Sequence, residues 1–123
     1  QLNYKLSPQE KSEFEALHNT KWNKSVDITD NFILNKQHLI FQNYKNNHLF
    51  NLVYFDAFGP RVEHHLWDIK IFQKIFKMLT VDGIFVTYCA KGQVRRDLIE
   101  VGFKVERLDG PPGKREMLRA IKK

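Results

Sequence analysis

Apolar runs and stretches of helical apolar spacing alternate along the second half of the chain, and this order predicts an α/β fold. Asn51–Phe55 is an apolar run that ends at a turn, as a buried parallel strand does. Apolar residues then recur at helical spacing from Trp67 to Leu79. Val81–Gly83 is expected to be a turn, and Ile84–Ala90 the next strand. This order predicts a βαβ unit with two parallel strands.

The remaining pattern predicts one more helix and a final pair of strands. A helix is expected from Gln93 to Val101, with Gly102 as its C-terminal cap. Phe103–Leu108 and Glu116–Ile121 have the apolar content of strands. Their connection is too short for a parallel crossover, so the two strands should be antiparallel.

The first part of the chain predicts a helix followed by short strands. Ser7 is a candidate N-cap, Pro8 suits the first helical position, and Glu10 can close a capping box. The residues expected on the buried side of this segment are Phe14, Leu17 and Trp22. Two short apolar runs, Phe32–Leu34 and Leu39–Phe41, predict a hairpin or two short strands.

Composition narrows the protein class. A chain of 123 residues can bury one modest core, so we expect one domain or part of one. It has one cysteine, no signal peptide and no apolar run of bilayer length, so a cytoplasmic location is the default expectation. Glu63-His64-His65 has no partner cluster, so no metal site is expected.

The charge of the chain lies in its second half. The net charge is +6, and residues 61–123 carry fourteen Lys and Arg against eight Asp and Glu. Residues 1–60 are balanced, with six lysines and six acids. A basic surface indicates an anionic partner, with nucleic acid as the leading candidate, although excess lysine also serves solubility alone.

Asp56 is the main candidate for chemistry. It follows an apolar strand directly, and ligands of open α/β sheets bind beyond the carboxyl ends of the strands. A carboxylate in this place can orient or deprotonate a substrate group. The alternative interpretation is an aspartate that only caps the strand.

Several short motifs in a fixed order indicate a family. Residues 50–118 resemble the methyltransferase domain of the bacterial MnmC enzymes, which modify the wobble uridine of certain tRNAs. The matching motifs are Tyr54-Phe-Asp-Ala-Phe-Gly-Pro60, Leu66-Trp67, Asp82-Gly83, Thr87-Tyr88, Val94-Arg95-Arg96, Gly102-Phe103 and Gly113-Lys-Arg-Glu-Met117.

This resemblance implies a Rossmann-like fold and the use of S-adenosylmethionine to methylate the 5-aminomethyl group of uridine 34. It implies that Asp56 holds or deprotonates the substrate amine. The residues it implies for the substrate pocket are Phe58, Pro60, Thr87 and Tyr88, and those for the tRNA backbone are Arg95, Arg96, Lys114 and Arg115. The alternatives are a packed turn for Phe58 and Pro60, and plain packing at a strand end for Tyr88. For the second group they are a solvated face, or an arginine bound to carbonyl groups at the sheet edge.

Parts of the family pattern have no counterpart in this chain. The family's cofactor site begins with a strand and a glycine-rich loop, but the first 58 residues contain no glycine. We therefore expect one partial methyltransferase domain truncated at its N-terminus, with a helix and short strands in 1–44 and the C-terminal half of the sheet in 45–123. Weak or absent S-adenosylmethionine binding follows, and nothing of the flavin-dependent oxidase domain of two-part members is present.

Two interpretations of the function stay open. In the first, the chain is the substrate side of a tRNA methyltransferase. In the second, it is a noncatalytic nucleic-acid-binding or interaction module with a methyltransferase-like fold. Without the first strands of the sheet, the Asn51–Phe55 strand would have an exposed edge, which a homodimer or residues 26–44 could cover.

Overall fold

The computed structural model describes residues 5–45, 47–110, 112–113 and 116–123. The chain divides into two compact units, residues 1–43 and residues 44–123. Each unit is described by itself below. Because Lys114 and Arg115 lie outside the described residues, the structure carries no information on their predicted role.

The first unit begins with helix α1, Pro8–Asn19. Its predicted capping box is confirmed. The Ser7 hydroxyl accepts a hydrogen bond from the backbone N–H of Glu10 at 3.1 Å, and the Glu10 carboxylate accepts one from the N–H of Ser7 at 3.2 Å. Phe14 and Leu17 lie on the half-buried side of α1, which has no fully buried residue, and the predicted burial of Trp22 is wrong because its side chain is 57% exposed.

The strands of the first unit differ from the predicted pair. Strand β1, Ser25–Thr29, pairs with strand β2, Phe32–Asn35, in an antiparallel hairpin. The second apolar run forms no strand, and only its last residue, Phe41, enters a short 3₁₀ helix, Phe41–Asn43. The turn between β1 and β2 consists of Asp30 and Asn31, whose residue types favour tight turns. This explains why β2 pairs with β1, which precedes it, and not with the apolar run that follows.

The second unit is a four-stranded sheet with two helices. Its strands are β3 (Phe50–Phe55), β4 (Leu79–Thr87), β5 (Lys104–Asp109) and β6 (Glu116–Ile121), in the order β3-β4-β6-β5. Strand β3 is parallel to β4, and β6 is antiparallel to both β4 and β5. Helix α2, Ile69–Met78, connects β3 to β4 after a 3₁₀ turn at His64–Trp67. Helix α3, Gly92–Val101, connects β4 to β5.

The predicted parallel pair, the second helix and the final antiparallel pair are therefore confirmed. Gly102 ends α3 with φ of +125°, a conformation that favours glycine. Among the described residues β3 lies at one edge of the sheet. A homodimer through this edge stays a prediction.

The core of the second unit lies between the helices and one face of the sheet. Helix α2 buries Ile71, Phe72 and Ile75. Alternate residues of the central strands face them, including Phe85 of β4 and Leu118 of β6, both fully buried. The Phe72 and Phe85 rings lie 6.1 Å apart in an edge-to-face arrangement.

The turn predicted at Val81–Gly83 is instead an irregularity inside β4. Phe50 pairs with Leu79 while Leu52 pairs with Ile84, so β4 bulges between these two pairs. The end of β6 stabilises the bulge, because the Asp82 N–H donates to the Lys122 carbonyl and the Lys122 N–H donates to the Gly83 carbonyl. Glycine is needed there, since a Cβ on Gly83 would lie 2.7 Å from the Thr80 carbonyl oxygen.

Candidate functional site

The parallel strands β3 and β4 end side by side. Phe55 pairs with Thr87, so Asp56 and Tyr88, the next residues of each chain segment, follow at the same edge of the sheet. The carboxyl ends of parallel strands are where open α/β sheets bind ligands. The structure thus brings the predicted aspartate and tyrosine to one place, with the Asp56 side chain exposed.

The side chains of Tyr88, which is half-buried, and Trp67, which is buried, hold the segment that follows Asp56. The Tyr88 hydroxyl donates a hydrogen bond to the Ala57 carbonyl at 2.6 Å. The Trp67 indole Nε1–H donates to the next carbonyl, that of Phe58, also at 2.6 Å. The Gly59 carbonyl then accepts from the N–H groups three and four residues later, at Val62 and Glu63. Backbone groups of a loop are thereby fixed by residues from the next strand and from the turn before α2.

Trp67 connects this loop to the core. Its side chain is only 5% exposed. Its ring lies 5.0 Å from that of Phe55 and 6.3 Å from those of Phe72 and Tyr88, each pair in an edge-to-face arrangement. The loop position therefore depends on the same aromatic cluster that packs α2 against the sheet.

A cleft of about 810 Å³ opens at this edge of the sheet, within the range of small-molecule sites. We call it the strand-end cleft. It is lined by Gly59, Pro60, Arg61, Tyr88, Cys89, Ala90, Lys91, Gly113 and Glu116. Of the charged residues in this described lining, Arg61 and Lys91 are cationic and Glu116 is anionic, so the walls favour an anionic or hydrogen-bonding ligand.

The electrostatics of the site involve Tyr88 directly. Burial raises the pKa of Tyr88, and the nearby Cys89, Asp56 and Glu63 groups raise it further. A phenol with a raised pKa keeps its proton at neutral pH, which is the state needed to donate to the Ala57 carbonyl. Asp56 is not among the lining residues of the cleft, and it follows the strand that pairs with the strand before Tyr88.

The predicted substrate-pocket residues fall into different environments. Pro60 and Tyr88 line the cleft. Phe58 is 72% exposed, and its carbonyl binds Trp67. Thr87 is 2% exposed, and its hydroxyl accepts the N–H of Cys89 at 3.3 Å, so it stabilises the end of β4 internally.

The predicted phosphate contacts are only partly described. Arg95 is half-buried in the first turn of α3, whereas Arg96 is exposed and donates to the Gln93 side-chain oxygen at 3.3 Å. The cleft contains two other cations, Arg61 and Lys91, that the sequence reasoning missed. Arg61 comes immediately after Gly59-Pro60, and Lys91 comes immediately after Cys89-Ala90. Their positions just beyond the two strand ends are the sequence signal that could have identified both cations.

The described residues do not fit S-adenosylmethionine as a whole ligand. A nucleotide cofactor on a parallel sheet needs an amide-rich turn before a helix. Within the described segments, the glycine that begins a helix after a strand is Gly92, and a Cβ there would lie 3.0 Å from the Arg96 guanidinium. This single glycine does not make an amide-rich turn, so we assign no cofactor contact to the described residues.

The described residues contain neither a metal-binding cluster nor a membrane-spanning helix. No group of three or more His, Cys, Asp or Glu side chains in these residues is arranged to hold a metal ion. None of the helices described is long and apolar enough to cross a bilayer.

Comparison with known proteins confirms the resemblance seen in the motifs. Residues 7–123 match a family described as S-adenosyl-L-methionine-dependent methyltransferase. A segment of 65 residues, 53% of this chain, is 40% identical to the tRNA 5-methylaminomethyl-2-thiouridine biosynthesis bifunctional protein MnmC of Burkholderia multivorans, and to that of Burkholderia mallei at the same identity. The matched segment spans 10% of the length of these relatives.

Solved structures show the same fold. The crystal structure of MNMC2 from Aquifex aeolicus matches with a TM-score of 0.78 and 20% identity, over 98% of this chain and 39% of that one. A methyltransferase from Pyrococcus furiosus matches with a TM-score of 0.50 and 16% identity, over 63% of this chain and 43% of that one. The predicted Rossmann-like α/β class is therefore confirmed.

Proposed function

The chain belongs to the family of S-adenosyl-L-methionine-dependent methyltransferases, and we propose that it forms the acceptor side of a tRNA methyltransferase. The proposed substrate is the 5-aminomethyl group of wobble uridine. It is supported by the MnmC relatives, whose name refers to tRNA 5-methylaminomethyl-2-thiouridine biosynthesis. A tRNA substrate would also agree with the expected cytoplasmic location.

The observation that carries this proposal is the placement of Asp56. Its exposed carboxylate follows β3 directly, beside a cleft lined by Pro60 and Tyr88. Two side-chain hydrogen bonds to the neighbouring carbonyl groups hold the segment after it. A carboxylate on so constrained a backbone segment can select one orientation of a bound amine.

The chemistry requires a neutral amine with a free lone pair. In the proposed role Asp56 accepts a hydrogen bond from the aminomethyl nitrogen and takes the proton that this nitrogen must lose. S-adenosylmethionine, when bound, supplies an electrophilic methyl group. Phe58 and Pro60 would wall the base, and Tyr88 would keep the loop in place through its hydroxyl.

The test measures methyl transfer from labelled S-adenosylmethionine to tRNA that carries the 5-aminomethyl group. The complete gene product and the 123-residue chain are assayed in parallel. Asp56→Asn should abolish most transfer in the active form, while Asp109→Asn, which changes an exposed aspartate at the end of β5, should retain it. Full activity of Asp56→Asn would leave only the strand-capping interpretation.

The noncatalytic alternative rests on one observation, the absence of a cofactor cradle among the described residues. If it holds, tRNA should bind to the complete gene product and no methyl transfer should be detected with any 5-aminomethyl substrate. Calorimetry that measures the affinity for S-adenosylmethionine distinguishes the methyltransferase from the noncatalytic module. Micromolar affinity for the 123-residue chain would contradict our interpretation of the missing glycine-rich turn.

A further inference from the structure

A second concave region lies on the outer side of helix α2. It has a volume of about 520 Å³ and is lined by Tyr44, Lys45, Asn47, His48, Lys70, Gln73, Lys74, Lys77 and Met78. We call it the lysine groove. Part of its wall precedes β3, so it reaches the amino end of that strand, whereas Asp56 follows the carboxyl end.

The sequence of α2 explains how the groove forms. Lys70, Lys74 and Lys77 are spaced at i, i+4 and i+7, so they share one face of the helix. Ile71, Phe72 and Ile75 form the buried face of the same helix. Burial of the apolar face against the sheet therefore directs the lysines outward, and the segment before β3 adds Lys45 opposite them.

The charge in the groove is unbalanced. Four lysines and one histidine line it, and no carboxylate is among the lining residues that the structure describes. Lys45, Lys70 and Lys77 form no ion pair with any described acidic side chain. Burial lowers the pKa of Lys74, and the Lys45 ammonium lowers it further. The lysine side chains therefore repel one another in the groove, and a bound anion would reduce this repulsion.

We propose that the lysine groove binds the phosphodiester backbone of an RNA, away from the modified base. The proposal rests on the proposed function for its choice of RNA. Lys70 and Lys77 lie about 10 Å apart along the helix axis, so the lysines form a row along the groove, which suits a chain of anions better than a single phosphate group. Asn47 and Gln73 add amide donors for phosphate and ribose oxygens. A flat bilayer surface does not enter a concave groove, which disfavours a membrane.

The test measures RNA affinity at several salt concentrations with the 123-residue chain. The probes are an unmodified tRNA transcript and a short oligouridylate. Lys70→Ala and Lys77→Ala should each flatten the dependence of log affinity on log salt by about 0.7–0.9, and the double variant by about twice that, because each phosphate contact releases counterions. Both probes should weaken alike, since phosphate contacts do not read sequence.

The matched control is Lys104→Ala, which removes an exposed lysine from β5 at the opposite edge of the sheet. It should leave the salt dependence unchanged, and Lys70→Arg should retain it. Thermal unfolding of every variant identifies any loss of fold. The proposal is wrong if the chain binds neither RNA, if the double variant behaves like the control, or if polyglutamate binds the groove better than RNA.

This experiment does not depend on methyl transfer. RNA binding that needs the lysine groove, together with an inactive gene product, would support the groove and contradict the proposed function. Active methyl transfer by the gene product, together with unchanged RNA affinity in the double variant, would support the proposed function and contradict the role of the groove.

Discussion

The strand-end cleft and the lysine groove lie in the same compact unit but are built differently. In the cleft, the Tyr88 hydroxyl and the Trp67 indole fix two consecutive backbone carbonyl groups at 2.6 Å. In the groove, the lining cations come from one exposed helix face and from the segment before β3. The first region depends on hydrogen-bonded side chains in fixed positions, and the second depends on the number and sign of its charges.

Because the two regions are built differently, mutations in the cleft and in the groove should have different effects. Removing one hydrogen-bonding group from the cleft at nearly constant volume should impair the reaction, because the position of Asp56 would be less defined. The same kind of change in the groove should matter only through charge. Added salt should strongly lower the affinity of the groove for RNA, since its lysines are mostly exposed.

The largest expected effect divides kcat from KM. In the active gene product, Asp56→Asn should lower kcat by about 10²–10⁴, the usual contribution of a positioned acid or base, and should leave KM for tRNA nearly unchanged. The Lys70→Ala, Lys77→Ala double variant should raise KM and keep kcat. Steady-state kinetics with aminomethyl tRNA measures both constants. If both variants change the same constant, the two regions do not have separate roles.

The next effect concerns Trp67. Trp67→Phe retains most of the apolar packing but leaves the Phe58 carbonyl without its donor, which should cost about 1–3 kcal/mol of unfolding free energy. We expect kcat to fall while RNA affinity and its salt dependence stay constant. Denaturant unfolding and kinetics are measured on the same preparation. A variant that loses stability at unchanged kcat would show that Trp67 supports only the core.

The smallest effect concerns Tyr88. Tyr88→Phe removes the bond to the Ala57 carbonyl and should destabilise the fold by about 0.5–1.5 kcal/mol. The pKa of Tyr88 is raised in the folded protein above its ordinary value of 10.0. Its contribution is therefore complete below that value and is lost as the pH rises through the folded pKa.

Thermal unfolding across alkaline pH checks this prediction. The wild-type protein should lose stability faster than Tyr88→Phe as the phenol ionises, so the difference between them should shrink. A difference that stays constant through this range would mean that the Tyr88 hydroxyl does not hold the loop.

The sequence by itself determined the elements whose signals are local. Ser7 and Glu10 are three positions apart, and their capping box forms as the residue types predict. The end of α3 at Gly102 and the position of Asp56 after an apolar strand are equally local. The motifs of residues 50–118 also indicated the family that the comparisons confirm.

The tertiary structure alone decided which distant residues meet. The Trp67 bond to Phe58 spans nine positions and the Tyr88 bond to Ala57 spans 31, so no local pattern shows them. The same holds for Lys45 opposite the lysines of α2 and for Arg61 beside Lys91. Propensity and capping act between neighbours, whereas a site is assembled by strand pairing and burial, which bring together residues far apart in the chain.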